Sequence, residues 1–189
     1  MGKFSRLDTG IEGLYVITPK VFADERGYFL ETYNQRDFEE IGIDSVFVQD
    51  NQSFSSKGVL RGLHFQKEFP QCKLVRVVRG SVYDVAVDLR PTSPTLGKWY
   101  GVELTADNKK QFLIPEGFAH GFIVLSDVAE FVYKCTDFYH PNDEGGIIWN
   151  DSSISIEWPL DEIGGKQKLI FSDKDQKWPT FEEFQKTLK

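Results

Sequence analysis

The chain has 189 residues, with 22 Lys and Arg against 29 Asp and Glu, a formal charge of −7. It is 40% hydrophobic and 14% aromatic, which excludes a disordered chain, while the acidic balance excludes attraction of nucleic acid through the overall field. No apolar run nears the roughly 20 residues of a membrane-spanning helix, residues 1–10 lack a signal-peptide core, and Cys72 and Cys135 form no metal or redox motif, so the expected setting is the cytoplasm, with no membrane and no nucleic-acid partner.

In chain order, Asn34 is placed to cap a helix over 35–41. The clearest strand is Lys73-Leu-Val-Arg-Val-Val-Arg79, where period two puts Lys73, Val75, Val77 and Arg79 on one face. Gly80-Ser81 reads as a turn, and the next strand, over 82–88, places Asp84 on a face with Val82, Ala86 and Asp88. Further strands are predicted over 100–104, 111–114, 121–125, 130–136 and 154–158. In the fourth of these, Phe131, Tyr133 and Cys135 share an apolar face expected to point inward. Thr180 and Glu183 have capping-box spacing for a helix over 181–188.

Strands fill the middle and short helices the margins, so the fold class is all-β. An antiparallel jelly-roll β-barrel in one domain, residues 1–189, satisfies the pattern, and no strand–helix alternation supports a doubly wound sheet. A ligand site would lie in the barrel mouth, where inward side chains of several strands meet.

Two landmarks sharpen this reading. Pro115-Glu-Gly117-Phe-Ala-His120 resembles the second cupin motif, while Gly58 and His64 keep the spacing of the first, with Gln66 at its second ligand position. The metal site of a cupin therefore looks dismantled, and neither metal nor redox cofactor is expected. The chain also carries Asp24-Glu-Arg26-Gly-Tyr-Phe29-Leu-Glu31, Val48-Gln49-Asp-Asn51, Arg61-Gly-Leu-His64-Phe, Asp84-Val-Ala-Val-Asp88, Tyr133-Lys and Ser172-Asp-Lys174-Asp175. Together, these words resemble the dTDP-4-dehydrorhamnose 3,5-epimerase family over nearly the whole length.

The resemblance implies a nucleotide-linked 4-keto-6-deoxy sugar as substrate. Its ketone acidifies the hydrogens on carbons 3 and 5. Inversion then needs a base on one face, an acid on the other, and a cation at the ketone oxygen. His64 is the implied base; Asp175 would orient it, although Asp173 two residues away leaves that alignment open. Tyr133 is the implied acid, with Tyr139 as an aromatic alternative lining the sugar. Lys73 would stabilise the oxyanion, with Asp84 a partner for it across a neighbouring strand. Arg26 and Arg61 suit the diphosphate, because a guanidinium binds phosphate oxygens bidentately, and His120 adds a donor. Phe29 could stack on thymine, and Glu31, Gln49, Asn51 and Glu144 could read ribose, base and sugar hydroxyls. The four tryptophans, Trp99, Trp149, Trp158 and Trp178, are expected to be packing or interface residues rather than catalytic ones. A homodimer with amino-terminal strands crossing the interface is likewise implied.

Three other readings compete. A relative could epimerise carbon 3 or carbon 5 alone, or act on another 4-keto sugar. A metal-dependent cupin would need more clustered ligands than His64, His120 and His140 offer. A sugar-nucleotide-binding module without catalysis would have no need of His64, Lys73 and Tyr133 together.

Overall fold

Short apolar–polar alternations punctuated by turn residues become two antiparallel sheets in the computed structural model, which describes residues 2–188. One sheet has the order β1 (Phe4–Asp8), β2 (Tyr15–Pro19), β10 (Gln111–Ile114), β7 (Lys73–Arg79), β12 (Val128–Cys135), β5 (Gln49–Ser56). The other runs β13 (Glu144–Gly146), β6 (Leu60–Gln66), β11 (Phe118–Val124), β8 (Ser81–Asp88), β9 (Trp99–Thr105). A separate hairpin joins β3 (Phe22–Asp24) to β4 (Gly27–Phe29). Sequential strands repeatedly cross between sheets, as in the expected jelly roll.

The period-two readings locate the core. Val75, Val77, Val82, Ala86, Phe122 and Phe131 meet between the sheets in one buried cluster. Phe122 and Phe131, from opposite sheets, stack with centroids 4.3 Å apart. Alternate residues face outward and are covered in turn. Val85 and Val87 pack beneath Trp149, Ile154, Trp158 and Phe181, and Leu74 beneath Phe38 and Ile43. The first helix, α1 (Gln35–Glu40), is capped by Asn34, whose side chain accepts from the Asp37 N–H. The second, α2 (Phe181–Thr187), carries the full Thr180–Glu183 capping box.

The strand expected over 154–158 does not form. Ile154 and Trp158 are buried, as the alternation implied, but they lie over the outer face of the second sheet instead of joining its ladder. Local bonds hold the segment: the Asp151 carboxylate accepts from the N–H groups of Ser153 and Ile154, and Trp158 Nε1 donates to the Trp149 carbonyl. Burial with period two was satisfied without pairing.

One close approach matters for the site. Gly62 on β6 has φ +139°, and a Cβ there would come within 2.5 Å of the Gly121 Cα on β11. Glycine at 62 lets these strands close up beside His64 and His120.

Candidate active site

His64 and His120 are direct partners across β6 and β11, so both rings project from one face into the barrel. Facing them from the other sheet are Lys73 on β7 and Tyr133 on β12. Lys73 begins the inward register of Val75 and Val77, and Tyr133 that of Phe131 and Cys135, with Cys135 directly opposite Lys73. His64, Lys73 and Tyr133 line a single cavity of about 260 Å³ at the barrel mouth. Gln49, Asn51, Tyr139 and Glu144 complete much of its wall.

Gln49, Asn51 and Glu144 are held in place. Gln49 Nε2 donates to Asn51 Oδ1 at 3.0 Å, and its own oxygen accepts from the Tyr139 N–H. Glu144 is ion-paired to Lys174 at 2.6 Å. A wider groove of about 420 Å³ crosses the outer face of the first sheet over Thr32, Arg76 and Lys134. Size does not decide between them. The smaller cavity gathers an imidazole, an ammonium and a phenol.

His64 Nε2 lies 2.5 Å from Asp175 Oδ1. Asp175 Oδ2 accepts from Ser172 Oγ at 2.7 Å, so both oxygens are engaged. Burial pushes the Asp175 carboxyl up, but the hydrogen bonds from His64 and Ser172 outweigh it and hold the group below the usual range. A carboxylate at Nε2 leaves Nδ1 as the free ring nitrogen. Of the two aspartates open on sequence grounds, Asp175 makes the contact.

Burial pulls the Lys73 ammonium below its ordinary pKa, against the opposing influence of Cys135, Asp84 and Glu144. A desolvated cation is a strong partner for a developing oxyanion. Burial raises the Tyr133 phenol, while the nearby Arg61 charge pulls the other way.

Asp84 requires a correction. It is fully buried, not paired to Lys73 on an adjacent strand. β8 lies between β11 and β9 in the sheet opposite β7. Its carboxylate instead meets His120 Nε2 at 2.9 and 3.0 Å, from the neighbouring β11. Burial raises its pKa, and His120 partly offsets this. His120 thus sits deeper than His64, beside Lys73 and Gln66. Arg61, on β6, donates from Nε to Ser55 Oγ at 3.1 Å.

Besides Arg61, Asp84 and His120, three more expected binding residues do not line this cavity. Arg26, in the β3–β4 turn, is 86% exposed and paired with Asp24. Phe29 is 64% exposed. Glu31 is ion-paired to Lys3 at 2.8 Å and accepts from Asn34.

Gln66, at the former ligand position, is committed to the backbone. It donates to the carbonyls of Phe69 and Phe138 and accepts from the His140 N–H. Among the described residues, no three His, Cys, Asp or Glu converge on a metal site. Two residues near His64 escaped sequence reasoning. Ser172 could have been found, since Ser-x-x-Asp is a capping-type spacing. Trp178, assigned to packing, does pack, but edge-on to His64 with centroids 5.9 Å apart; no local pattern announces that contact.

A sequence profile described as dTDP-4-dehydrorhamnose 3,5-epimerase matches residues 8–183. The chain is 52% identical over 183 residues to the dTDP-4-dehydrorhamnose 3,5-epimerase of Methanothermobacter thermautotrophicus, covering 97% of each. A crystal structure of dTDP-4-dehydrorhamnose 3,5-epimerase from Elizabethkingia anophelis superposes with TM-score 0.90 at 51% identity, covering 96% of this chain and 98% of that one. The Legionella pneumophila dTDP-6-deoxy-D-glucose-3,5-epimerase, in complex with dTDP-4-keto-L-rhamnose, gives TM-score 0.86 at 52% identity, covering 91% and 89%.

Proposed function

Because the chain belongs to the dTDP-4-dehydrorhamnose 3,5-epimerase family, we propose that His64 and Tyr133 act on opposite faces of its bound sugar while Lys73 holds the carbonyl oxygen. The reaction converts dTDP-4-dehydro-6-deoxy-D-glucose to dTDP-4-dehydro-L-rhamnose. The observation that carries the residue assignment is the shared cavity of these three groups.

The steps follow from which atoms are free. Asp175 occupies Nε2, so His64 Nδ1 takes the proton from carbon 5. The electron pair moves into the carbon–carbon bond to carbon 4, and the ketone becomes an enolate beside the Lys73 ammonium. Tyr133 gives its phenolic proton to carbon 5 from the other face, and the ketone re-forms. His64 releases its proton to water, Tyr133 regains one, and the sequence repeats at carbon 3. A positioned acid or base contributes about 10²–10⁴-fold, and removing one oxyanion donor costs about 10²–10³-fold.

Arg61 would meet the diphosphate, His120 would add a donor beneath the sugar, and Gln49, Asn51, Tyr139 and Glu144 would meet the sugar and nucleoside. Arg26, Phe29 and Glu31 would serve the cavity of a second copy. The support is their placement on or beside an exposed hairpin that also displays Phe22 and Tyr28, an apolar patch a monomer does not need. The working form would be a homodimer, each chain a single cupin-type domain. A reducing cytoplasm agrees with two free cysteines, Cys72 and Cys135, and with the lack of any helix long and apolar enough to cross a membrane among the described residues.

The test is conversion of the dTDP keto sugar by purified protein, followed by NMR. His64→Asn and Tyr133→Phe should each lower turnover by about 10² or more. Near wild-type turnover by either variant would remove that residue from its role.

A further inference from the structure

We propose that Ser172 is a positioning residue for the reaction, fixing Asp175 so that its carboxylate keeps His64 in the productive orientation; this rests on the reading of His64 as base. The Ser172 hydroxyl touches Asp175 twice. It donates to Oδ2 at 2.7 Å and accepts from the Asp175 N–H at 3.2 Å. One hydroxyl therefore ties the backbone and side chain of the same residue, which sets the carboxylate plane. The opposite oxygen, Oδ1, then meets His64 Nε2.

The surroundings explain why such a tie is needed. Asp175 is 3% exposed, yet it sits in a run of turns between the short helix Lys166–Lys168 and α2, outside any sheet ladder. A regular strand would hold a catalytic aspartate through backbone pairing; here the hydroxyl does it. Ser172 is itself exposed and does not line the cavity of His64, Lys73 and Tyr133. Its loss should lower kcat and leave KM unchanged. Ser172 also helps keep Asp175 ionised, so without it the carboxylate takes up a proton at higher pH, and the acid limb of kcat moves upward.

The experiment compares Ser172→Thr with Ser172→Val, nearly equal in volume and differing by the hydroxyl, with His64→Asn as control. Melting temperature is recorded for each. The expected result is wild-type kcat for the Thr variant. For the Val variant, kcat falls about tenfold at unchanged KM with an upward-shifted acid limb. Equal kcat and equal pH profiles for Thr and Val would overturn the inference, as would a fall in both that tracks a lowered melting temperature. If His64→Asn keeps full activity, the base assignment itself fails. If His64→Asn is inactive while Val matches Thr, the role of Ser172 alone is rejected.

Discussion

His64 and His120 stand directly opposite each other on adjacent strands, yet each binds a different aspartate. His64 meets Asp175 at 2.5 Å, and His120 meets Asp84 at 2.9 Å. The two carboxylates come from different parts of the chain, a carboxy-terminal turn and the buried strand β8. The first pair opens to the cavity, and the second lies beneath it, where Asp84 is wholly enclosed. Two imidazoles that a cupin would turn on one metal ion are thus divided between two carboxylates, and the outer one keeps Nδ1 free.

Tyr133→Phe should separate proton removal from inversion. With His64 intact, the base can still remove a proton and return one to the same face. Recovered substrate from heavy water should carry deuterium while epimerised product falls by about 10² or more. NMR of the substrate pool measures both. Product formed at the wild-type rate would show that another group supplies the acid.

Lys73→Met should trade activity for stability. Burial depresses the Lys73 pKa from 10.5, so below that pH the charged form costs the folded state free energy, and the cost is relieved as pH rises. Removing the ammonium should raise the melting temperature at pH 7 by about 2–4 °C for each kcal/mol recovered. Turnover should drop by about 10²–10³. A lower melting temperature with retained turnover would contradict both halves.

Mixing subunits tests the crossed arm. Arg26→Ala and His64→Asn homodimers should each be poorly active. In the proposed homodimer, a mixed pair would hold one site with an intact His64 and an intact Arg26 from the other chain, because a two-fold interface is reciprocal. Unfolding and refolding the two variants together should therefore recover activity that neither has alone. Failure to recover it, with mixed dimers demonstrated by mass, would place Arg26 outside the partner's site.

Asp88 should set an acid limit on stability. Burial raises its pKa, but hydrogen bonds from Arg90, Ser93 and Thr95 overcome this and hold it at about 2, against 3.8 for a free group. A depressed carboxylate stabilises the fold fully above the unfolded pKa and loses that contribution as pH falls from about 4 to about 2. The shift corresponds to roughly 2 kcal/mol. Denaturant melts of Asp88→Asn and wild type should differ at pH 6 and converge near pH 2. An equal gap at both would assign the loss to packing.

The sequence reached the inward register of Lys73 and Tyr133 because period two needs only one buried face, and both strands had apolar neighbours to mark it. It missed Asp84's partner because alternation gives the face of a side chain and not the strand beside it. The segment over 154–158 misled for a related reason: burial of alternate residues does not distinguish a ladder strand from a loop lying on a sheet. Family words supplied Arg26 and Phe29, which do not line the cavity of His64 and sit on or beside an exposed hairpin whose sequence carries no period pointing to that cavity. Ser172 was within reach through its spacing to Asp175. Trp178, brought to His64 by the chain's return path, was not.

As the base, His64 should exchange the hydrogens at carbons 5 and 3 with solvent. Incubation with dTDP-4-dehydro-6-deoxy-D-glucose in heavy water, with product mass and configuration read together, tests it most directly. Wild-type protein should yield the L-configured product carrying two deuterons, and His64→Ala should incorporate none. Rapid exchange in the His64→Ala protein would remove His64 as the base.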